Sequence, residues 1–450
     1  MPEGVFANLH QSLRQTLQER DWSPTPVQEA TQDDIAAGKD RLVIAPTGSG
    51  KTMAAVLPLL DRCLREQWQG MSILYITPLR ALNRDVDRRL EEITESVGLK
   101  LGLRHGDTTQ SERNKQVRKP PNVMITTPET FQLMFTGSKL RLLLMDVKAV
   151  IIDEIHEMID GERGWQLSLG LSRLEQFKSS KVQRIGLSAT IGNPDQVASW
   201  LSEDTEAISA SAPRYTELSV DAIIPIPDDE VGSMELAISP RAHATLRGLA
   251  QIVEEKNPCL IFVNSRNNAE TISQRLQSIT PGLKIGVHHG SLAADTRAEM
   301  EDGLRDGSIQ ALVCTSSLEL GIDVGSINHI VQINSPRSVD RILQRVGRAD
   351  HRIGGIGSGH LLGWEADDLL ESAVISRRAM AGEIEAIEWR EKPLSVAANQ
   401  IVMMVHSHGA LPIDLVTEAI ANSNQFKGWR REDTIGLGKV LADGWVIKCE

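Results

Sequence analysis

Two short stretches carry residue types suited to phosphate chemistry. The first runs from Ala45 to Thr52, following the apolar run RLVIAP and opening a helix-like stretch. It fits the GxxxxGK[ST] pattern, with alanine in the first glycine place. Gly48 and Gly50, with Thr47 and Ser49 between and before them, let backbone N–H groups wrap phosphate oxygens at a helix N-terminus. Lys51 supplies a point positive charge to the β and γ phosphates, and Thr52 offers its hydroxyl to Mg²⁺. The second stretch is AVIIDE, which ends in Asp153 for the metal and Glu154 to polarise an attacking water. A strand ending in two acids says little by itself. Paired with the phosphate loop it reads as the other half of one ATP site. His156 follows two residues later and reads as a coupling residue near Ser188 and Thr190 rather than as a metal ligand.

These residues need strands to hold them. Short apolar runs recur at 41–46, 72–78, 122–129, 149–154 and 183–190, each closed by small or polar residues. Helix-like stretches such as TMAAVLPLLDRCLREQ and ALNRDVDRRLEEITESV separate them. Continuous apolar strands alternating with helices predict a parallel sheet covered on both faces. The pattern pauses over 203–240, a proline- and acid-rich stretch that reads as a linker plus an edge strand. A second series follows at 258–264, 284–290, 309–315, 329–334 and 359–364, with helices between. Two α/β domains of similar plan are therefore predicted. Residues 386–450 read as three short helices followed by a strand at WVIK, the pattern of a small winged-helix domain.

Composition excludes several classes. Hydrophobic residues make up 41% and charged residues 24% of the 450, an ordinary globular balance. No apolar run reaches eighteen residues, so no membrane helix is expected, and the N-terminus lacks a signal-peptide pattern. Cys63, Cys259, Cys314 and Cys449 are far apart and form no CxxC pair, which predicts reduced thiols and a cytoplasmic protein. His288 with His289, and His406 with His408, have no third ligand at metal-binding spacing. The net charge of −12 leaves room for a local basic groove. With aromatics at 4%, base stacking on many rings is not expected. Trp364, Trp389, Trp429 and Trp445 read as packing residues. The pairs Arg88-Arg89, Arg118-Lys119 and Arg430-Arg431 read as solvated, although Lys427, Arg430 and Arg431 lie where a winged helix often meets nucleic acid.

The ordered set TPVQ, APTGSGKT, TPLRALNRD, HGDT, TTPET, DEIH, SAT, IFVNSR, TSSLELGID and QRVGR resembles the superfamily 2 helicases. DEIHEM, the run SSLELGIDVGSINHIVQINSPRSVDRILQRVGRADHR and EKPLSVAANQIVMM resemble the large helicase-related (Lhr) branch. The resemblance covers nearly the whole chain. Members of that branch continue into a further domain after the winged helix, so a fragment or short relative is expected here. The resemblance implies two tandem RecA-like domains, 1–208 and 209–385, followed by an incomplete winged helix at 386–450. It implies a nucleic-acid-stimulated ATPase that moves along, and separates, nucleic acid with ATP and Mg²⁺. It points to 3′-to-5′ movement on single-stranded DNA or RNA and partial duplexes, including RNA–DNA hybrids, in repair or replication. Rival readings are an RNA-remodelling helicase, a duplex translocase without unwinding, and a binding module switched by ATP.

Carried over by position, Gln28 would read the adenine, Ser188 and Thr190 would link hydrolysis to domain motion, and Gly321 and Asp323 would sit near the ribose. The nucleic-acid track would use Arg80, Gly106, Thr108, Thr127 and Pro128 in the first domain. In the second it would use Asn264, Ser265, Arg266, His289, Gly290, Thr315 and Ser316. Many of these are small or hydroxylic, suited to phosphate oxygens rather than base edges.

The segment QRVGRADHRIG would bring Gln344 and Arg348 to the γ-phosphate. Were it to stay helical, Arg345, Arg348 and Arg352 would share a face within about 60°, with Asp350 on the opposite side. Gly347 marks a possible helix end. The stretch departs from the common QRxGRAGR pattern at Asp350 and His351. Arg348 is the expected finger, with Arg345 or Arg352 as the second phosphate contact.

Overall fold

The computed structural model describes residues 4–46, 48–78, 90–210, 216–319, 325, 327–349 and 357–448. Thr47, Arg80, Gly321, Asp323, Asp350, His351 and Arg352 lie outside the described residues. Two structural units emerge. One comprises 1–45, 49–210 and 386–450, and the other 211–385, with 46–48 grouped with the second.

The first unit is built on a seven-stranded sheet. Its strands are β1 (Arg41–Ile44), β2 (Ile73–Ile76), β3 (Leu101–Arg104), β4 (Val123–Thr126), β5 (Ala149–Ile152), β6 (Gln183–Ser188) and β7 (Glu206–Ser209). They lie in the order β3-β4-β2-β5-β6-β1-β7, and every pairing is parallel. The central strands are buried along their whole length, which is why they read as unbroken apolar runs. The sequence reading overlooked β3 and β7. Both are edge strands, and β7 is exposed at its two ends, so neither shows a continuous apolar run.

The second unit holds β8 (Thr216–Asp221), β9 (Cys259–Phe262), β10 (Ile285–His288), β11 (Ala311–Cys314), β12 (His329–Ile333) and β13 (Gly357–Leu362). Their order is β10-β11-β9-β12-β13-β8, again with every pairing parallel. β8 is the edge strand expected in the linker region. The fold is two RecA-like α/β domains.

Residues 386–450 pack within the first unit. The helices Leu394–His408, Ile413–Ala421 and Arg431–Asp443 fall where the sequence placed them. Val396, Ile401, Phe426 and Trp429 join Leu169 of the helix Glu162–Lys178 in one apolar cluster. A buried polar chain crosses the same contact. Arg173 donates to Gln400 Oε1 at 2.8 Å, Gln400 Nε2 donates to Gln132 at 3.0 Å, and Gln132 donates to the Gln166 carbonyl at 2.6 Å. The strand expected at WVIK does not form. A strand needs a partner for its ladder, and among the described residues 386–448 contain no other strand; Trp445 instead sits in a turn, 94% exposed. Among the described residues, 386–448 therefore hold the three expected helices and no strand.

Candidate nucleotide and nucleic-acid site

In a parallel sheet all strands end on the same edge, where ligands of α/β folds gather. The phosphate loop follows β1, Asp153 and Glu154 follow β5, and Ser188 closes β6, which lies between them. Gly48 and Gly50 adopt φ of +80° and +91°, a region glycine enters without steric cost. At Gly50 space adds a second demand, because a Cβ would stand 2.7 Å from Gln28 Nε2. The Gln28 carboxamide accepts from the Thr25 N–H at 3.0 Å and donates to the Gly50 carbonyl at 3.3 Å, so it anchors the loop. Lys51 is 7% exposed, and its Nζ has no hydrogen-bond partner among the described residues. A buried ammonium without a hydrogen-bond acceptor is costly, and phosphate oxygens would supply the missing acceptors.

Asp153 and Glu154 are both buried. Asp153 Oδ1 accepts the Glu154 N–H at 3.0 Å, and Oδ2 accepts the Tyr75 hydroxyl at 2.6 Å. Burial first, and the neighbouring Glu154 charge second, push the Asp153 carboxyl up to about 7. Glu154 adopts φ of +45°, an uncommon state for a side-chain-bearing residue that marks a constrained turn after β5. Thr52 and Asp153 are the oxygen donors here that could hold a divalent cation, whose charge would favour the ionised Asp153.

His156 Nδ1 lies 3.1 Å from Ser188 Oγ and 3.7 Å from Glu154 Oε2. The structure therefore brings His156 and Ser188 together beside the acid pair. It leaves Thr190 exposed, two residues beyond.

The same edge continues to β4 and β3. Thr127 caps the helix Pro128–Met134, its Oγ1 accepting the Thr130 N–H at 3.4 Å, and Pro128 is the first residue of that helix. Thr108 Oγ1 accepts the His105 N–H at 2.9 Å, which shapes the turn that exposes Gly106. Arg113, which the sequence did not single out, donates to the Gly106 carbonyl at 2.9 Å.

In the second unit the expected track residues follow β9, β10 and β11, which are neighbours in the sheet. Asn264 donates to the Ser335 carbonyl at 2.9 Å, and Ser265 caps the helix that Arg266 opens. His289 Nε2 lies 2.8 Å from Glu270, Gly290 is exposed with open space around it, and Thr315 and Ser316 follow β11. These residues share one strand-end edge.

The arginines separate clearly. The helix Val339–Val346 stops at Gly347, so Arg348 lies in the turn beyond and does not share a helical face with Arg345. Arg345 is buried, ion-paired with Glu319, bonded to Gln332 and stacked 5.0 Å from the Phe262 ring centroid. Its donors serve the domain interior, with Glu319 and Gln332 as acceptors. Arg348 Nε and one terminal nitrogen donate to the Glu319 carbonyl at 3.2 and 2.8 Å. Gln344 is buried beside them.

Two RecA-like sheets with a phosphate loop and an acid pair on one edge define the class of P-loop ATPases with a helicase-type core. Residues 25–197 match the DEAD/DEAH box helicase family and 244–354 the helicase conserved C-terminal domain. The chain belongs to the superfamily 2 helicases, in the large helicase-related (Lhr) branch. It is 35% identical to the ATP-dependent helicase Lhr-Core of Methanothermobacter thermautotrophicus, over 92% of this chain and 50% of that protein. It is 36% identical to the Lhr helicase/probable uracil glycosylase of Mycolicibacterium smegmatis, over 84% of this chain and 28% of that protein. The structure of Mycobacterium smegmatis helicase Lhr bound to ssDNA and AMP-PNP superposes with a TM-score of 0.85 at 34% identity, covering 98% of this chain and 58% of that one. The chain thus spans about half or less of the length of these curated relatives.

Proposed function

We propose that this chain is the motor core of an ATP-dependent helicase that moves on single-stranded nucleic acid and opens partial duplexes. The buried Lys51 Nζ, which has no hydrogen-bond partner among the described residues, on the same strand-end edge as Asp153 and Glu154 carries the reading. Lys51 binds the phosphates of ATP, the loop N–H groups hold their oxygens, and Gln28 holds the adenine. Glu154 takes a proton from the water that attacks the γ-phosphorus, ADP departs, and Arg348 with Gln344 offsets the developing charge. Mg²⁺, held by Thr52 and Asp153, would supply charge neutralisation at the phosphate oxygens. His156 and Ser188 pass the change of state from the acid pair to neighbouring strand ends.

The mycobacterial Lhr structure is of that helicase bound to ssDNA and AMP-PNP, and this supports single-stranded DNA as the track partner. The hydroxylic and backbone-rich edge residues favour phosphate contacts, hence weak sequence preference and binding that weakens steeply with salt. We assign 3′-to-5′ movement and a repair or replication role on the family likeness. No helix among the described residues is long and apolar enough to cross a membrane. The buried free thiols Cys63, Cys259 and Cys314 fit a reducing compartment, so we place the protein in the cytoplasm.

ATPase rates with single-stranded DNA, RNA of equal length or neither, on wild type and Glu154→Gln, test the assignment. Stimulation by DNA is expected, with the variant binding ATP but losing most turnover. Near-normal turnover in Glu154→Gln would remove Glu154 from the chemistry, and equal or greater stimulation by RNA would move the substrate to RNA. ATP hydrolysis without displacement of a forked duplex would leave a translocase.

A further inference from the structure

Tyr75 is one of two tyrosines in the chain and lies in β2, in register with Ile151 of the neighbouring β5. Its side chain is fully buried among aliphatic strand residues. The hydroxyl donates to Asp153 Oδ2 at 2.6 Å. A phenol has one proton, which is committed to the carboxylate. The Asp153 carboxylate is fixed at both oxygens, by Tyr75 and by the Glu154 N–H. One neutral group on β2 thereby orients a carboxylate that follows β5 and is assigned to the metal.

We propose that Tyr75 is a positioning residue for the divalent cation, holding the Asp153 carboxylate in the orientation that binds it. This inference rests on the ATP site argued above. Its loss loosens the cation, not the nucleotide, because the phosphate loop and Gln28 do not depend on it. Partners that orient metal ligands typically contribute roughly ten- to a hundredfold in metal affinity.

Tyr75→Phe keeps the ring and removes the hydroxyl. Binding of a fluorescent ATP analogue is measured in EDTA and across a Mg²⁺ titration, with thermal unfolding as the check on folding. The expected result is a half-saturating Mg²⁺ concentration raised roughly tenfold or more, with affinity in EDTA unchanged. An unchanged Mg²⁺ midpoint in the folded variant overturns the proposal. In wild-type protein labelled with 3-fluorotyrosine, one of two ¹⁹F resonances is expected to move when Mg²⁺ joins bound nucleotide. If neither resonance moves, the proposal also falls. Failure of the wild type to bind nucleotide at all would instead overturn the ATP-site reading itself.

Discussion

Ser188 Oγ and His156 Nδ1 lie 3.1 Å apart, both buried, and join the ends of the adjacent strands β6 and β5. The histidine ring also faces Glu154 and Glu157, at 3.7 and 3.6 Å. On the proposed coupling, a change at the acid pair would reach the end of β6 through this ring. Ser188→Ala removes a hydrogen bond worth about 1 kcal/mol, a factor of roughly five. DNA-stimulated ATP hydrolysis should stay near wild type while the ATP consumed per base pair separated rises by about that factor. Parallel ATPase and strand-displacement assays give the ratio, and an unchanged ratio would remove this pair from coupling.

Much of this was legible in the sequence because buried parallel strands leave unbroken apolar runs. Each run also delivers its chemistry at its C-terminal end, as RLVIAP and AVIIDE show. What stayed hidden depends on contacts between distant positions. Tyr75 could have drawn notice, since a tyrosine inside ILYI must find a partner for its hydroxyl, but nothing in the spacing names Asp153 as that partner. Arg345 and Arg348 look alike in the sequence. Only the fold shows that Glu319 and Gln332 claim the first of them. The WVIK strand was read from local apolarity alone, and pairing is a non-local requirement.

The division between those arginines is open to test. Glu319→Gln leaves Arg345 charged and buried without its counter-ion, a loss that typically costs about 3–5 kcal/mol. A clear fall in denaturant midpoint is therefore expected. Arg348→Gln should instead lower stimulated turnover by a factor on the order of 10³ while ATP still binds. Full turnover in folded Arg348→Gln would defeat the finger assignment. A Glu319→Gln midpoint equal to wild type would defeat the structural reading of Arg345.

Arg173 tests how residues 386–450 are held. Its guanidinium is buried against the Phe135 ring, 4.5 Å from the centroid, and burial lowers its pKa to about 10. Gln400 is the partner that crosses from the C-terminal helices. Gln400→Leu strands the cation and should cost roughly 1.5–3 kcal/mol. Arg173→Met alone also removes the charge, so Arg173→Met with Gln400→Leu should be less destabilised than the sum of the two single variants. Calorimetric unfolding of the four proteins completes the cycle, and strict additivity would mean that the two side chains do not act together.

The pair His329 and His360 gives the second domain a pH dependence. His329 Nε2 lies 2.6 Å from His360 Nδ1, and its other nitrogen lies 3.2 Å from Ser358 Oγ. Such a bond needs one ring to donate and the other to accept, so the accepting ring must be neutral and the two cannot both be protonated. Burial, with Lys256 and the other ring adding like charge, lowers His329 to about 4, and His360 is lowered chiefly by burial and Lys256. An unfolded histidine titrates near 6.5. Between about pH 6.5 and pH 4 the unfolded chain therefore binds more protons than the folded one, and stability falls as the pH falls through that window. Above it the contribution is complete. Urea midpoints at pH 7, 6 and 5 should decline for wild type, and His329→Gln should flatten the part of that decline that belongs to this pair. An identical slope in the folded variant would show that the pair stays neutral for reasons that do not differ between the folded and unfolded chain.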